Sequence, residues 1–415
     1  MLKELHLKHV GPAERFDVEF GDRLNIFTGD NGLGKSFLLD VSWWALTNNW
    51  SDHPAFPRSH SKESPEISYA ITTSDGEVES IGSKFDASRQ TWKANYRRRE
   101  KHSYLSVYAR AEGGFSVWDP TRPRSLARSD YNFTPDTLWN GLKAKNRGNV
   151  LCNGLIQDWV TWQNQSDRTT FDLLFRVIRQ LFHPDEAIEP AEPTRVFLND
   201  VRDIPTIQLP YERLPITHAS SGIKRILGLA YILVWTWYEH LKAAELRNEK
   251  PLNQLILLMD EVELHLHPQW QRSILPSVLE VISGLQKQMQ VQAIATTHAP
   301  LVLASVEPLF DEQNDKLFLF ELNGHEVNLA EVPWSKQGDT VGWLTSEVFG
   351  LKQARSKEAE VAIEAAEAYM RRDDLSQFPE NLQHRDQIHQ ELQRTLPGHD
   401  PFWPRWIVTA GVVEV

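Results

Sequence analysis

The sequence holds a single cysteine, Cys152, in 415 residues. One thiol excludes an intrachain disulfide and every metal motif built from several cysteines, and a reducing, cytoplasmic setting is expected. Long hydrophobic runs are missing too. A membrane-spanning helix needs about 18 or more apolar residues in a row, whereas the most apolar stretch, 223–237, carries Lys224 and Arg225. No membrane partner is expected. The start, Met1-Leu2-Lys3-Glu4-Leu5, lacks the charged-then-apolar plan of a secretory signal. Positive charge is in deficit: 44 Lys and Arg against 56 Asp and Glu give a formal net charge of −12. The surface as a whole therefore repels nucleic acid, and any DNA contact has to come from a local basic patch.

Tryptophan, by contrast, is abundant, with 15 residues. The pairs Trp43/Trp44, Trp159/Trp162 and Trp235/Trp237 sit on helical stretches without interleaved basic residues, so they read as core fillers rather than base-stacking platforms. The length suffices for two or three domains, or one large domain with insertions.

The stretch that organises the chain is Gly29-Asp30-Asn31-Gly32-Leu33-Gly34-Lys35-Ser36, followed by Phe37. It lies between an apolar strand, Leu24–Thr28, and a helix running to about Thr47, which is the context of a phosphate-binding P-loop. Gly29, Gly32 and Gly34 permit positive φ, so successive amides can cup phosphate oxygens. Lys35 would reach the β- and γ-phosphates and Ser36 a Mg²⁺, and the positive end of the helix dipole favours the phosphates. The alternative is a chance glycine-rich turn, but the four fixed positions coincide in roughly 1–2% of chains this long at ordinary residue frequencies.

Alternation of apolar and polar residues over 1–28 predicts two or three strands feeding the loop. Residues 64–119 read as short strands, Ile67–Thr73, Glu77–Ser83, Arg89–Tyr96, Tyr104–Ala109 and Phe115–Trp118, in one antiparallel meander. Helical stretches come next at Leu151–Trp162 and Thr170–Phe182, then an acidic, proline-rich break at Pro184–Pro193 and two short strands, Arg195–Leu198 and Thr206–Leu209.

Three further stretches carry chemistry. Leu255–Met259 is an unbroken apolar run ending in Asp260 and Glu261, as a buried parallel strand does at the edge where α/β ligands bind. Asp260 would hold Mg²⁺ through water and Glu261 would act as general base toward the attacking water. Val291–Thr297 is a second such strand with His298 at its end, a potential γ-phosphate contact, although a lone histidine there is usually structural. Ser220-Ser221-Gly222 precedes an apolar helix. Serine there is first an N-cap, and the same helix start is also an anion site.

In this order the pieces resemble an ABC-type ATPase of the RecF/SMC-like branch, in the AAA-family set that includes the Septu and retron-associated anti-phage ATPases. Gly29–Ser36 matches Walker A and Leu255–Glu261 Walker B. Ser220-Ser221-Gly222 is similar to the signature, with Ile223 where many members have Glu or Gln. Glu263-Leu264-His265-Leu266-His267-Pro268 resembles the D-loop, and Thr297-His298-Ala299-Pro300 the switch histidine, with Ala299 replacing the usual serine. Gln157 and Gln163 are candidates for the Q-loop glutamine.

The resemblance implies an α/β P-loop fold of ABC type. Its core sheet is discontinuous, interrupted by a β-rich and helical insertion and succeeded by a small helical C-terminal tail. The corresponding boundaries are 1–50 and 195–340 for the ATPase core, 51–194 for the insertion and 341–415 for the tail. It implies ATP and Mg²⁺ as ligands and a homodimer or higher even oligomer in which Ser220, Ser221 and Gly222 face nucleotide held by the other copy. It implies also a partner effector, a nuclease, in anti-phage defence. The rival readings are a RecF-like clamp on duplex DNA and a scaffold that binds nucleotide without hydrolysing it.

Other charged features have plainer readings beside the sharp ones. Arg97-Arg98-Arg99 is the densest basic run, a solvated loop or a contact for DNA, with Arg122, Arg124 and Arg128 weaker candidates of the same kind. Glu263, His265 and His267 could suggest a metal site, though not at a usual zinc spacing. Arg202 could touch nucleotide or pair with Asp203 on the surface.

Overall fold

The computed structural model describes residues 1–58, 63–73, 76–93, 103–122, 131–144, 148–182 and 187–411. The chain divides into two units, Met1–Gly338 and Asp339–Val415.

In the first unit, β1 (Leu2–Lys8) and β2 (Arg15–Glu19) form an antiparallel pair, and β3 (Leu24–Gly29) comes after them. The next strands are β4 (Glu66–Thr72), β5 (Val78–Asp86), β6 (Thr91–Trp92), β7 (Leu105–Ala109), β8 (Phe115–Trp118) and β9 (Asn132–Phe133). They do not form one meander. β4, β5 and β6 extend the β1–β2 pair into a five-stranded antiparallel sheet of order β2-β1-β4-β5-β6. β7 belongs elsewhere: all five of its residues are buried, which suits a central position better than an edge.

The remaining strands are β10 (Leu142–Lys143), β11 (Val150–Cys152), β12 (Glu189–Arg195), β13 (Asp203–Gln208), β14 (Arg213–Pro215), β15 (Gln254–Met259), β16 (Gln290–Thr296), β17 (Asp315–Asn323) and β18 (Glu326–Val332). The core is an eight-stranded mixed sheet of order β18-β17-β3-β16-β15-β7-β8-β9. β17, β3, β16, β15 and β7 run parallel, while β18, β8 and β9 pair antiparallel at the two sides. The register aligns Thr296 with Phe27, Ala295 with Met259 and Met259 with Ala109, so the central parallel strands end together. The loops leaving them emerge at one edge, where an open α/β sheet binds its ligands.

The proline-rich break is partly a strand. β12 contains Pro190 and Pro193 and pairs with β13 at the side of a three-stranded sheet, where a residue without an N–H is tolerated. Trp43, Trp44, Trp159, Trp162, Trp235 and Trp237 are all buried, as core residues.

The second unit is helical. The helix Lys357–Arg371 is capped by the Ser356 hydroxyl, which accepts from the Ala359 N–H at 3.2 Å, and ends on Arg372 in the left-handed region. Ala362, Ile363, Ile388, Leu392 and Trp406 are buried together in this unit's own core.

Candidate active site

The conformation of the loop after β3 is set by its glycines. Gly29, Gly32 and Gly34 have φ of +122°, +78° and +104°. At Gly29 the constraint is also steric, because an added Cβ would lie 2.2 Å from the Phe320 carbonyl oxygen. A Cβ on Gly32 would meet nothing within 4 Å, so the loop's crest faces open space. Asp30, Asn31 and Ser36 are exposed or half-exposed there, whereas Leu33 is buried and Phe37 packs its ring over Gly11. Gly34 caps the helix Lys35–Thr47 without a side-chain bond, and the first-turn amides have no intrahelical acceptor.

Lys35 is buried and curls back on the loop, its Nζ donating to the carbonyls of Gly29 at 2.8 Å and Asp30 at 2.7 Å. Burial lowers its pKa, opposed by the charges of Glu261, Asp260, Asp30 and Glu263. At the end of β15, buried Asp260 is held on both sides: its N–H donates to Ala109 O at 2.9 Å, and its Oδ1 accepts from the Thr296 hydroxyl at 2.7 Å. The same Thr296 oxygen accepts the Glu261 N–H at 2.8 Å. Glu261 has φ +47°, a left-handed conformation that a non-glycine residue seldom adopts. His298 is half-buried one residue beyond Thr297, whose N–H donates to Phe27 O at 3.0 Å. Burial and then the Lys35 charge lower the His298 pKa, against Glu263, Glu261 and a hydrogen bond with the Gly29 backbone.

Lys35, Asp260, Glu261 and His298 therefore gather at one sheet edge. Ser220, Ser221 and Gly222 do not join them. Ser220 is the N-cap of the helix Ser221–Arg247, its Oγ accepting from the Ile223 N–H at 3.3 Å. With Ser221, Gly222 and Ile223 it lines a cleft of about 660 Å³ shared with Tyr211, His265 and Trp270, to which residues 29–37 contribute nothing. Gly222 is needed for close packing: a Cβ there would fall 2.8 Å from His265 O and 2.9 Å from the Trp270 ring.

One surface reading is revised, and the other residues singled out in the sequence are located. Arg202 binds Asp200 and Asn140, and Asp203 pairs with Arg195 instead. Gln163 bonds Trp159 and the Ala191 carbonyl. Among the described residues no group of three or more His, Cys, Asp or Glu could hold a metal ion, so Glu263, His265 and His267 form no such cluster. No described helix is long and apolar enough to cross a membrane. Arg97–Arg99, Arg124 and Arg128 lie outside the described residues, and Arg122 donates to the Tyr131 hydroxyl at 2.9 Å and to the Glu239 carboxylate at 2.6 Å.

Sequence reasoning misses Thr296 and Asp40. Asp40, four residues past Ser36, accepts from Ser51 Oγ at 2.8 Å and Tyr108 OH at 3.1 Å, and burial raises its pKa. The available signal is a hydroxyl at the end of one strand and a carboxylate one helical turn beyond the loop.

The family model described as "AAA domain, putative AbiEii toxin, Type IV TA system" matches residues 24–304. The chain is similar to the Septu protein PtuA of Bacillus thuringiensis, 23% identical over 86% of each chain. It is also similar to the Retron Ec83 probable ATPase of Escherichia coli, 29% identical over 34% of this chain and 22% of that one. Among solved structures, the SMC head domain from Thermotoga maritima aligns with TM-score 0.40 and 17% identity, covering 80% of this chain and 99% of that chain.

Proposed function

The chain belongs to that AAA-domain family, and from this premise we propose that it binds Mg-ATP and hydrolyses it slowly, as a switch that closes two copies around nucleotide. The backbone amides of 29–37 cradle the phosphates and Lys35 exchanges its two loop carbonyls for β- and γ-phosphate oxygens. Ser36 and Asp260 offer oxygen donors only, which fits Mg²⁺. Bound there, the ion would offset charge on the β- and γ-phosphates. Glu261 orients a water and takes its proton as the water oxygen bonds to the γ-phosphorus and the ADP oxygen leaves. Neutral His298 donates to the γ-phosphate. Ser220, Ser221 and Gly222 of a second copy complete the centre, which makes the active form a homodimer or higher even oligomer.

One observation supports this reading above the others. The ammonium, carboxylates and imidazole share one sheet edge, whereas the signature opens onto a cleft that contains no P-loop residue. The likeness to the Septu and retron proteins supports a defence role against phage, with a nuclease as the partner effector that the switch controls.

The test is complementation between two inactive variants of the full chain. Lys35→Ala and Ser221→Arg are each expected to lose ATP hydrolysis. Mixed in equal amounts they regain roughly a quarter of wild-type activity, because half the dimers then hold one intact centre of two. If Ser221→Arg alone hydrolyses ATP normally, or if the mixture stays inert, the two-copy centre is wrong.

A further inference from the structure

The turn after β15 carries a second glutamate, and its geometry differs from that of Glu261. Glu263 Oε1 accepts the backbone N–H of His298 at 2.5 Å, a bond that spans 35 residues of sequence and ties the end of β15 to the end of β16. Its Oε2 is buried with no hydrogen-bond partner among the described residues. The turn itself is tightly closed. Val262 N–H donates to Thr296 O at 3.1 Å, Leu264 N–H to Glu261 O at 2.9 Å, and Leu266 N–H to Glu263 O at 2.9 Å. Glu263 thus has little freedom to swing away. A charge-assisted bond to a backbone amide is among the stronger ones a protein makes. This one ends on the amide of the residue whose ring lies beside the Gly29 backbone, close enough to Lys35 to feel its charge.

We infer that Glu263 is the positioning residue for His298: it pins the backbone of the histidine so that the imidazole stays against the phosphate-binding loop. This rests on the ATPase reading for its consequence in catalysis, but not for the bond itself. It also divides the labour between two carboxylates two residues apart. Glu261 has its backbone fixed by Thr296 and is assigned to the water. Glu263 has its side chain committed to an amide, with the other oxygen enclosed, and does not act as a base. The carboxylate matters through an acceptor atom, so glutamine, whose amide oxygen also accepts, should replace it and alanine should not.

Two measurements on the full chain test this. The first needs no nucleotide: hydrogen exchange at the His298 amide. Glu263→Ala is expected to lose protection there while Glu263→Gln keeps it, with protection of the β16 amides unchanged in both as a control for folding. The second is steady-state ATP hydrolysis. Glu263→Ala should lower kcat by roughly 10- to 100-fold through misplacement of the imidazole, with KM for ATP changed less than about twofold. Glu263→Gln should stay within about fivefold of wild type. Adding Glu263→Ala to His298→Ala should cost nothing further, since both remove one function. Unchanged exchange in Glu263→Ala overturns the inference, and so does a loss of kcat that adds to that of His298→Ala. A wild-type chain that fails to hydrolyse ATP refutes the ATPase reading instead, and the exchange result still decides whether Glu263 holds His298.

Discussion

The phosphate-binding edge and the signature cleft are built on opposite plans. At the edge of β3, β16 and β15, charged groups are gathered and interlocked: buried Lys35 lies among Asp30, buried Asp260, Glu261 and Glu263, and Thr296 holds both Asp260 and Glu261. The signature cleft brings hydroxyls, a helix N-terminus and the apolar walls of Leu209, Leu266 and Trp270. Buried charge is costly unless paired, and a parallel sheet edge, with adjacent strands ending in step, is where pairing can be arranged. A helix N-terminus bears partial charge through its amides and needs no partner inside its own chain. Under the proposed function, one region would hold the reacting groups and a counterion alone, while the other would complete a site that arrives from outside.

The sharpest way to separate them is Glu261→Gln, which changes one region only. It is expected to lower kcat by roughly 10²- to 10⁴-fold, the usual worth of a positioned base, while ATP still binds and the closed dimer accumulates. Activity measured by phosphate release and dimer content by light scattering should move in opposite directions. Unchanged turnover would remove the base from Glu261 and with it the functional contrast between the two regions.

A smaller pair of changes compares the regions by backbone. Gly29→Ala places a Cβ against Phe320 O in a left-handed conformation, and Gly222→Ala places one against His265 O. Each is expected to cost about 1–3 kcal/mol of stability, read from denaturant unfolding. The ligand response should differ: Gly29→Ala weakens ATP binding to the isolated chain, and Gly222→Ala leaves that binding intact while suppressing hydrolysis. Equal effects on binding would mean that both regions touch the same nucleotide within one copy.

The same contrast governs what is legible in the sequence. The charged edge is readable because glycines with fixed spacing and apolar strands ending in charge leave local signatures, and Lys35, Asp260, Glu261 and His298 do lie together. Strand partners are not readable. Leu105–Ala109 has the pattern of a short buried strand in any sheet, and only tertiary pairing puts β7 beside β15 rather than in a meander with β5 and β6. Pro190 and Pro193 argue against a strand, but β12 lies at the side of its sheet, where the missing donors have little consequence. Glu263 looks like one more acidic turn residue, since its bond to His298 joins positions 35 residues apart and no periodicity reports such a contact.

The smallest effect expected concerns protons, and it reads the charged edge directly. His298 has its pKa lowered from 6.5, first by burial and then by the charge of Lys35. The imidazole is therefore neutral at pH 7 and remains so somewhat below 6.5. As pH falls through 6.5 the unfolded chain takes up this proton before the folded one, so the stability tied to His298 is present above 6.5 and declines from there toward the lower folded value. Half-exposure and solvent screening keep this contribution small. Removing the neighbouring cation should move the group predictably: in Lys35→Ala the His298 pKa is expected to rise, followed by the imidazole carbon-bound proton in NMR titration. Ser221→Arg, which alters the other cleft, should leave that titration unchanged in the nucleotide-free monomer. A shift with Ser221→Arg and none with Lys35→Ala would mean that the imidazole senses the signature cleft rather than the phosphate-binding loop, reversing the assignment of His298 to the charged edge.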